Sequence, residues 1–157
     1  MEAVNQTIIE IDENQDNETV LEQWKVYVQM ADNISERRVK SNTFFTTINT
    51  TIIGICTTNF IGGHKNWFFI TGILISVIWI MSIRSYKMLN SAKFKVINKI
   101  EKKLPVKGFT DEWEILKEKK YFKLTSNEYY VPIVFIVIYI VYLYSNGVFI
   151  YLLNLIK

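Results

Sequence analysis

The chain has 157 residues, a formal net charge of +3 and a mean hydropathy of +0.14, and half of its residues are hydrophobic. Three stretches contain no Asp, Glu, Lys or Arg: 24 residues between Lys40 and Lys65, 18 between Lys65 and Arg84, and 28 between Glu128 and Lys157. A soluble domain of this size needs charged surface along its length, whereas about 20 apolar helical residues cross a bilayer. The composition argues against a soluble monomer and predicts an all-α integral membrane protein.

The N-terminal region divides into an acidic tail, residues 1–19, and an amphipathic cytoplasmic helix, residues 20–41. The first 24 residues contain seven acids and no Lys or Arg, which is the wrong charge for a signal peptide and typical of a disordered tail. Helical spacing then places five apolar residues on one face: Trp24, Tyr27, Val28, Ala31 and Ile34. No Gly or Pro follows before Gly54, so we expect this helix to continue into the first membrane span. Glu36 and Lys40 have the spacing of an ion pair on its surface.

Residues 42–83 are predicted to form a transmembrane hairpin. Its first span covers residues 42–61, its second span covers residues 67–83, and the polar, glycine-containing segment 62–66 forms the turn. Trp79 has two interpretations, an interfacial aromatic residue or a residue that packs between helices.

Residues 84–128 are predicted to form a basic, helical cytoplasmic arm. One helix ends at Pro105, and a short second helix is expected to begin at Thr110, with the Thr110 hydroxyl as its cap. The segment 125–128 has the pattern of a capping box, and it begins the third span within residues 129–157. We expect that span to end near residues 145–147 and to be followed by an apolar C-terminal tail.

The basic residues predict the orientation of the chain. Twelve Lys and Arg lie between Arg84 and Lys123 against five acids, whereas the hairpin turn carries only Lys65. By the positive-inside rule, the N-terminus and the arm are cytoplasmic, and three spans put the C-terminus outside.

The first span is unusually polar for a lipid environment, and its polar face has two interpretations. In one, hydroxyls bond back to their own helix and small residues pack against other helices. In the other, copies of this span surround an axis and line a wet pathway. Both favour a homo-oligomer, and the candidate pore-lining or helix-interface residues are Asn42, Thr46, Asn49, Thr50 and Thr57.

Five basic residues near the predicted membrane boundary and in the arm are candidates for contact with lipid or a partner: Arg37, Arg38, Arg84, Lys102 and Lys103. Anionic lipid headgroups attract such residues. Nucleic acid is not an expected partner, because aromatic stacking motifs are absent and membrane orientation already accounts for the charge.

The residues needed for ordinary catalysis or metal binding are scarce. Cys56 is the single cysteine and His64 the single histidine, so no intrachain disulfide and no zinc site are expected. Phosphate-binding loops, G-x-S-x-G and H-E-x-x-H are absent from the sequence. We therefore predict no catalytic residues, no cofactor and no metal, and a chain that is not an enzyme.

Several segments taken together resemble a known family. They are residues 30–38 (MADNISERR), Asn42 with Phe44–Phe45, residues 83–86 (IRSY), residues 89–97 (LNSAKFKVI), Glu101 with Leu104–Pro105, residues 111–113 (DEW), and residues 129–132 (YYVP). In this order they resemble the RipA family of octameric bacterial membrane proteins. The resemblance covers about residues 20–142 and implies an octamer in the bacterial inner membrane with no known catalytic activity. The architecture is also distantly similar to SLATT-type membrane effectors.

These observations predict three transmembrane helices, a hairpin plus a third span, with a helical cytoplasmic collar, assembled as a homo-oligomeric ring. The polar face of the first span suggests a gated pore or a membrane-permeabilising effector. The alternative is a non-conducting scaffold that binds lipids or a cytoplasmic protein partner through its basic collar.

Overall fold

The computed structural model describes residues 16–58, 62–118 and 128–145, and every regular element within these ranges is helical. The four α-helices are α1 (Asn17–Thr57), α2 (Lys65–Glu101), α3 (Gly108–Glu118) and α4 (Tyr130–Ser145). A 3-10 turn, Gly62–His64, precedes α2. Gly62 has a φ of +56°, a conformation that glycine adopts without steric cost. The predicted all-α class is confirmed for the described residues.

The two long helices each join segments that differ in composition. α1 runs unbroken for 41 residues, so the predicted amphipathic helix does continue into the threonine-rich segment that follows it. α2 runs for 37 residues and combines the predicted second span with the first helix of the arm. At about 1.5 Å per residue, each helix is longer than the apolar core of a bilayer, which is about 30 Å thick.

α2 is the one helix in the described ranges that is both long and apolar enough to cross a membrane. α4 is strongly apolar but 16 residues long. The three predicted spans therefore remain a prediction. The acidic tail up to residue 15, most of the predicted capping box at residues 125–128 and the tail from residue 146 lie outside the described residues.

The chain divides into two compact units, residues 1–33 with 90–121 and residues 34–89 with 122–157. In the second unit, α1, α2 and α4 share an apolar core. Its buried members are Ile52, Cys56, Phe69, Tyr139 and Leu143. Aromatic rings make up much of this core, and the ring centroids of Phe69 and Tyr142 are 3.9 Å apart.

In the first unit, the start of α1 packs with the end of α2 and with α3. The Phe109 ring of α3 lies 5.7 Å from the ring of Trp24 and 5.8 Å from that of Phe94. The ammonium group of Lys93 lies 5.1 Å from the centre of the Tyr27 ring. α3 itself contributes no buried residue.

Burial agrees with the helical periodicity read from the sequence. All five residues of the predicted apolar face of α1 are buried or half-buried, with Ala31 and Ile34 the most enclosed. Trp79 is 2% exposed and packs between helices, which decides between its two interpretations. Glu36 and Lys40 form the expected ion pair, with 3.6 Å between Oε2 and Nζ, on the exposed surface.

The predicted start of α3 was wrong. The helix begins at Gly108, and the Thr110 hydroxyl does not cap it but donates to Glu101 Oε2 at 2.7 Å. The Glu101 carboxylate also accepts from the backbone N–H groups of Phe109 at 2.8 Å and Thr110 at 3.1 Å. These N–H groups lie in the first turn of α3, where no intrahelical acceptor exists. Glu101, the last residue of α2, is therefore the cap of α3.

Candidate functional site

The most enclosed polar group of the second unit is the side chain of Asn49 in α1, which is 0% exposed. Its Nδ2 donates to the carbonyl oxygen of Phe45 at 2.8 Å. Its Oδ1 accepts from the Ser76 hydroxyl of α2 at 3.0 Å and from the Tyr139 hydroxyl of α4 at 2.8 Å. We call Asn49, Ser76 and Tyr139 the Asn49 cluster. A buried amide is costly unless paired, and here one amide oxygen pairs with two helices at once.

A glycine makes room for the Asn49 cluster. A Cβ at Gly72 in α2 would lie 2.5 Å from the Cε2 atom of the Tyr139 ring, which is far inside van der Waals contact. Gly72 therefore lets α4 approach α2 closely enough for the Tyr139 hydroxyl to reach α1. Small residues have the same role at other helix contacts in membranes.

The contact between α1 and α2 contains two further polar pairs. The indole Nε1 of Trp79 donates to Asn42 Oδ1 at 2.8 Å, and the Trp79 ring stacks on Phe45 with 5.8 Å between centroids. The hydroxyl oxygens of Ser41 and Ser82 are 3.4 Å apart. Together with the Asn49 cluster, these pairs fix the register of α1 on α2, because a shift of either helix would leave buried polar groups unpaired.

The opposite side of α1 carries a second polar surface, which is exposed in the single chain. We call it the threonine face: Thr43, Thr47, Thr50, Thr51, Gly54 and Thr57. Each of its hydroxyls donates to a carbonyl oxygen three or four residues earlier in α1, at 2.6 to 3.1 Å. Because a hydroxyl oxygen also has lone pairs, these side chains can still accept hydrogen bonds from water or from another chain.

The structure divides the five predicted pore-lining or interface residues between these two surfaces. Asn42, Thr46 and Asn49 lie on the side that packs inside the chain, with Thr46 bonded to the carbonyl oxygen of Asn42 at 2.8 Å. Thr50 and Thr57 lie on the threonine face. For Asn49, burial supports the helix-interface interpretation over the pore-lining one.

Sequence reasoning missed the partners of Asn49. Ser76 and Tyr139 lie in strongly apolar segments and were not singled out. A signal was present, since an amide in a membrane segment requires partners and few polar side chains are available in those segments. What the sequence did not indicate was which of those side chains reach it.

The five predicted basic residues differ in their surroundings. Arg37, Arg84, Lys102 and Lys103 are exposed. Arg38 is half-buried, and its Nε lies 3.5 Å from Glu128 Oε1, just before α4. Arg38 thus has a contact within the second unit.

No group of three or more His, Cys, Asp or Glu that could hold a metal ion occurs among residues 16–58, 62–118 and 128–145.

Comparison with known proteins gives a match to a family model. The model described as octameric membrane protein family (8xMP) matches residues 21–149, which include α2, α3, α4 and all but the first turn of α1. No curated protein and no solved structure matches the chain. The coarser part of the predicted resemblance, an octameric membrane protein, agrees with this match, whereas the RipA and SLATT likenesses remain predictions.

Proposed function

Because the chain belongs to the octameric membrane protein family (8xMP), we propose that it forms a homo-oligomeric ring of eight subunits in the bacterial inner membrane, with the threonine face of α1 lining a central gated pore. The proposed role is non-enzymatic. It retains the three predicted spans, with the N-terminus and the basic arm in the cytoplasm.

The observation that carries this proposal is the contrast between three exposed helix surfaces. The threonine face consists of hydroxyl residues and one glycine. Between residues 74 and 81 of α2 the exposed residues are all aliphatic: Leu74, Val77, Ile78 and Met81. The exposed residues of α4 include Val134, Val137, Ile138 and Val141. Aliphatic surfaces suit lipid chains, so α2 and α4 are the helices expected at the outside of a ring. α1 is then the helix that faces neighbours and the axis.

The chemistry of the threonine face suits a wet axis. Its hydroxyl protons are bonded to α1 carbonyls, so the oxygen lone pairs are what the surface offers to water or a passing ion. Glu36 and Lys40 continue this side of α1 toward the cytoplasm, because they precede Thr43 and Thr47 by seven residues each, or two helical turns. Rings of these two charged residues would stand at the cytoplasmic mouth.

The exposed basic residues support the cytoplasmic placement. Arg37 and Arg84 lie near the predicted membrane boundary, and Lys102 and Lys103 lie in the turn after α2. Each such residue near an anionic leaflet contributes about 1 kcal/mol of attraction. We propose that they contact anionic headgroups around the ring.

The alternative function is a non-conducting scaffold, and it rests on the same hydroxyl bonds. Since every hydroxyl of the threonine face is satisfied within α1, the face can also pack dry against the next subunit. Such a ring would be sealed and would act through lipids or a cytoplasmic partner. The likeness to SLATT-type effectors favours the pore, whereas the likeness to the RipA family implies an octamer and no particular mechanism.

Thiol accessibility in the reconstituted oligomer distinguishes the two functions. Thr50→Cys and the matched control Val77→Cys, each in a Cys56→Ala background, are treated with a charged, water-soluble methanethiosulfonate reagent. Position 50 lies on the threonine face and position 77 on the exposed face of α2. The pore predicts rapid modification at position 50, a change in ion flux on modification, and no reaction at position 77.

An unreactive thiol at position 50, in an oligomer of unchanged size, would contradict the pore and favour the scaffold. Reaction at both positions would contradict the proposed orientation of α1 and α2.

A further inference from the structure

The first unit carries an open apolar groove of about 760 Å³ between the start of α1, the end of α2 and α3. Its apolar lining is formed by Leu21, Trp24, Leu104, Pro105, Val106 and Phe109. Val106 is 73% exposed. α3, which forms one wall, has no buried residue, although it is strongly amphipathic. An apolar groove left open in this way is a candidate binding surface for another segment.

The charges beside the groove indicate the chemistry of that segment. Lys102, Lys103 and Lys107 are exposed and flank the three lining residues of the turn between α2 and α3. Glu101 also lines the groove, but its carboxylate is buried and accepts three hydrogen bonds from the start of α3. Two acids, Glu18 and Glu112, also line the groove. An occupant with apolar side chains for the floor and carboxylates for the three lysines fits this surface.

We propose that residues 8–13 of the same chain bind in this groove. Their sequence, Ile-Ile-Glu-Ile-Asp-Glu, combines three isoleucines with three acids and contains no base. The isoleucines would cover the apolar floor, and the acids would lie toward the lysine turn and away from Glu18 and Glu112. Apolar burial supplies most of the attraction, and the exposed ion pairs set the direction of the segment.

The position of the groove makes binding within one chain feasible. Asn17 and Glu18, in the first turn of α1, line its edge, so the preceding residues enter directly beside it. Ile11 precedes Asp16 by five positions, so the Cα atoms of the two residues are at most about 18 Å apart in an extended chain. The bound segment acts as a strap that covers α3 and holds it against α1 and α2. This inference concerns the first unit and does not depend on whether the threonine face conducts.

Disulfide trapping in the full-length oligomer tests the proposal. In a Cys56→Ala background, Ile9→Cys is combined with Val106→Cys in the groove or with Ile115→Cys as a control. Ile115 is also exposed and apolar, but it does not line the groove. Under mild oxidation we expect the 9–106 pair to form within one chain about tenfold faster than the 9–115 pair, because binding raises the effective concentration of the two thiols.

Two further variants test whether the isoleucines of the segment and the lysines beside the groove hold the segment in place. Ile8→Ser with Ile11→Ser should lower the 9–106 rate to that of the control pair, and Lys102→Glu with Lys107→Glu should slow it severalfold. Equal rates for the two pairs in the parent background would overturn the proposal. So would an unchanged rate after the serine substitutions. Cross-links found only between chains would assign the groove to the segment of a neighbouring subunit and overturn binding within one chain.

Discussion

The Tyr139 hydroxyl lies 2.8 Å from Asn49 Oδ1, although 90 positions separate the two residues in the chain. The same oxygen accepts from Ser76 at 3.0 Å, so a single amide oxygen connects α1, α2 and α4 at one level. Both hydroxyl donors are held in an apolar core, where an unpaired polar group is costly. The Asn49 cluster therefore specifies how the three helices pack, as well as contributing to their stability.

Asn49→Leu is expected to lower the free energy of unfolding by about 1–3 kcal/mol, because it removes the side-chain acceptor of two buried hydroxyls. Ser76 loses the bond to Asn49 Oδ1, and Tyr139 keeps only its longer bond to the residue 49 carbonyl oxygen at 3.2 Å. Denaturant unfolding of the detergent-solubilised protein measures this loss. The matched variant adds Ser76→Ala and Tyr139→Phe to Asn49→Leu, so that no hydroxyl remains to be satisfied. This triple variant should regain most of the lost stability. A triple variant that is less stable than Asn49→Leu alone would show that hydroxyl pairing is not the cause.

Gly72→Ala is expected to destabilise the second unit by about 1–3 kcal/mol, because the new Cβ would overlap the Tyr139 ring and separate α4 from α2. Gly54→Ala is the matched control. A Cβ at Gly54 meets no atom within 4 Å, and alanine favours a helix over glycine by about 1 kcal/mol. In thermal unfolding, the midpoint temperature should fall for Gly72→Ala and rise for Gly54→Ala. Equal changes in stability for the two variants would mean that the packing of α4 on α2 does not depend on the absence of a side chain at Gly72.

The sequence was sufficient to predict the long helices and their apolar faces. The absence of Gly and Pro between Val20 and Gly54 predicted an unbroken α1, and helical spacing predicted the burial of Ala31 and Ile34. Such features are local, since they depend on spacing along one helix. The Glu36–Lys40 pair was predicted for the same reason.

What the sequence did not predict depends on contacts between distant residues. Burial of Asn49 against Tyr139 requires knowledge of which helices touch and at what height. The cap of α3 was assigned to Thr110 from a local pattern, whereas the structure supplies the acceptor from Glu101 in the preceding helix. In both cases a polar group is hydrogen-bonded by a side chain on another helix, whereas a local pattern predicts a partner nearby in the sequence.

Glu101→Ala is expected to loosen the start of α3, because the N–H groups of Phe109 and Thr110 lose their acceptor. Loss of a capping side chain costs about 0.5–2 kcal/mol. Hydrogen–deuterium exchange at these two amides should accelerate accordingly, with little change in the second unit. Glu114→Ala removes an exposed carboxylate from the middle of α3 and serves as the control. If exchange at Phe109 rises equally in both variants, the Glu101 bonds do not hold the helix start.

Arg38→Gln is expected to destabilise the protein by about 1 kcal/mol, and Arg37→Gln is expected to have almost no effect. The two residues are adjacent, but only Arg38 is half-buried with its Nε 3.5 Å from Glu128 Oε1. A double-mutant cycle with Glu128→Gln isolates the pair. Arg38→Gln should cost less in the Glu128→Gln background, and an undiminished cost there would assign the effect to other contacts of Arg38.

The threonine face gives the prediction closest to function. Thr47→Leu with Thr50→Leu replaces two exposed hydroxyls by apolar side chains while leaving the Asn49 cluster on the opposite side of α1 intact. If this face lines the axis, rings of leucine would dewet it, and ion flux into proteoliposomes should be abolished in an oligomer of unchanged size. Val77→Leu and Val134→Leu, on the exposed faces of α2 and α4, are the controls and should conduct normally. Flux that persists in the leucine variant would exclude the threonine face as the lining. A sealed wild-type oligomer whose assembly weakens on the same substitutions would instead place this face between subunits, because leucine is too large for the close contact that threonine and glycine allow.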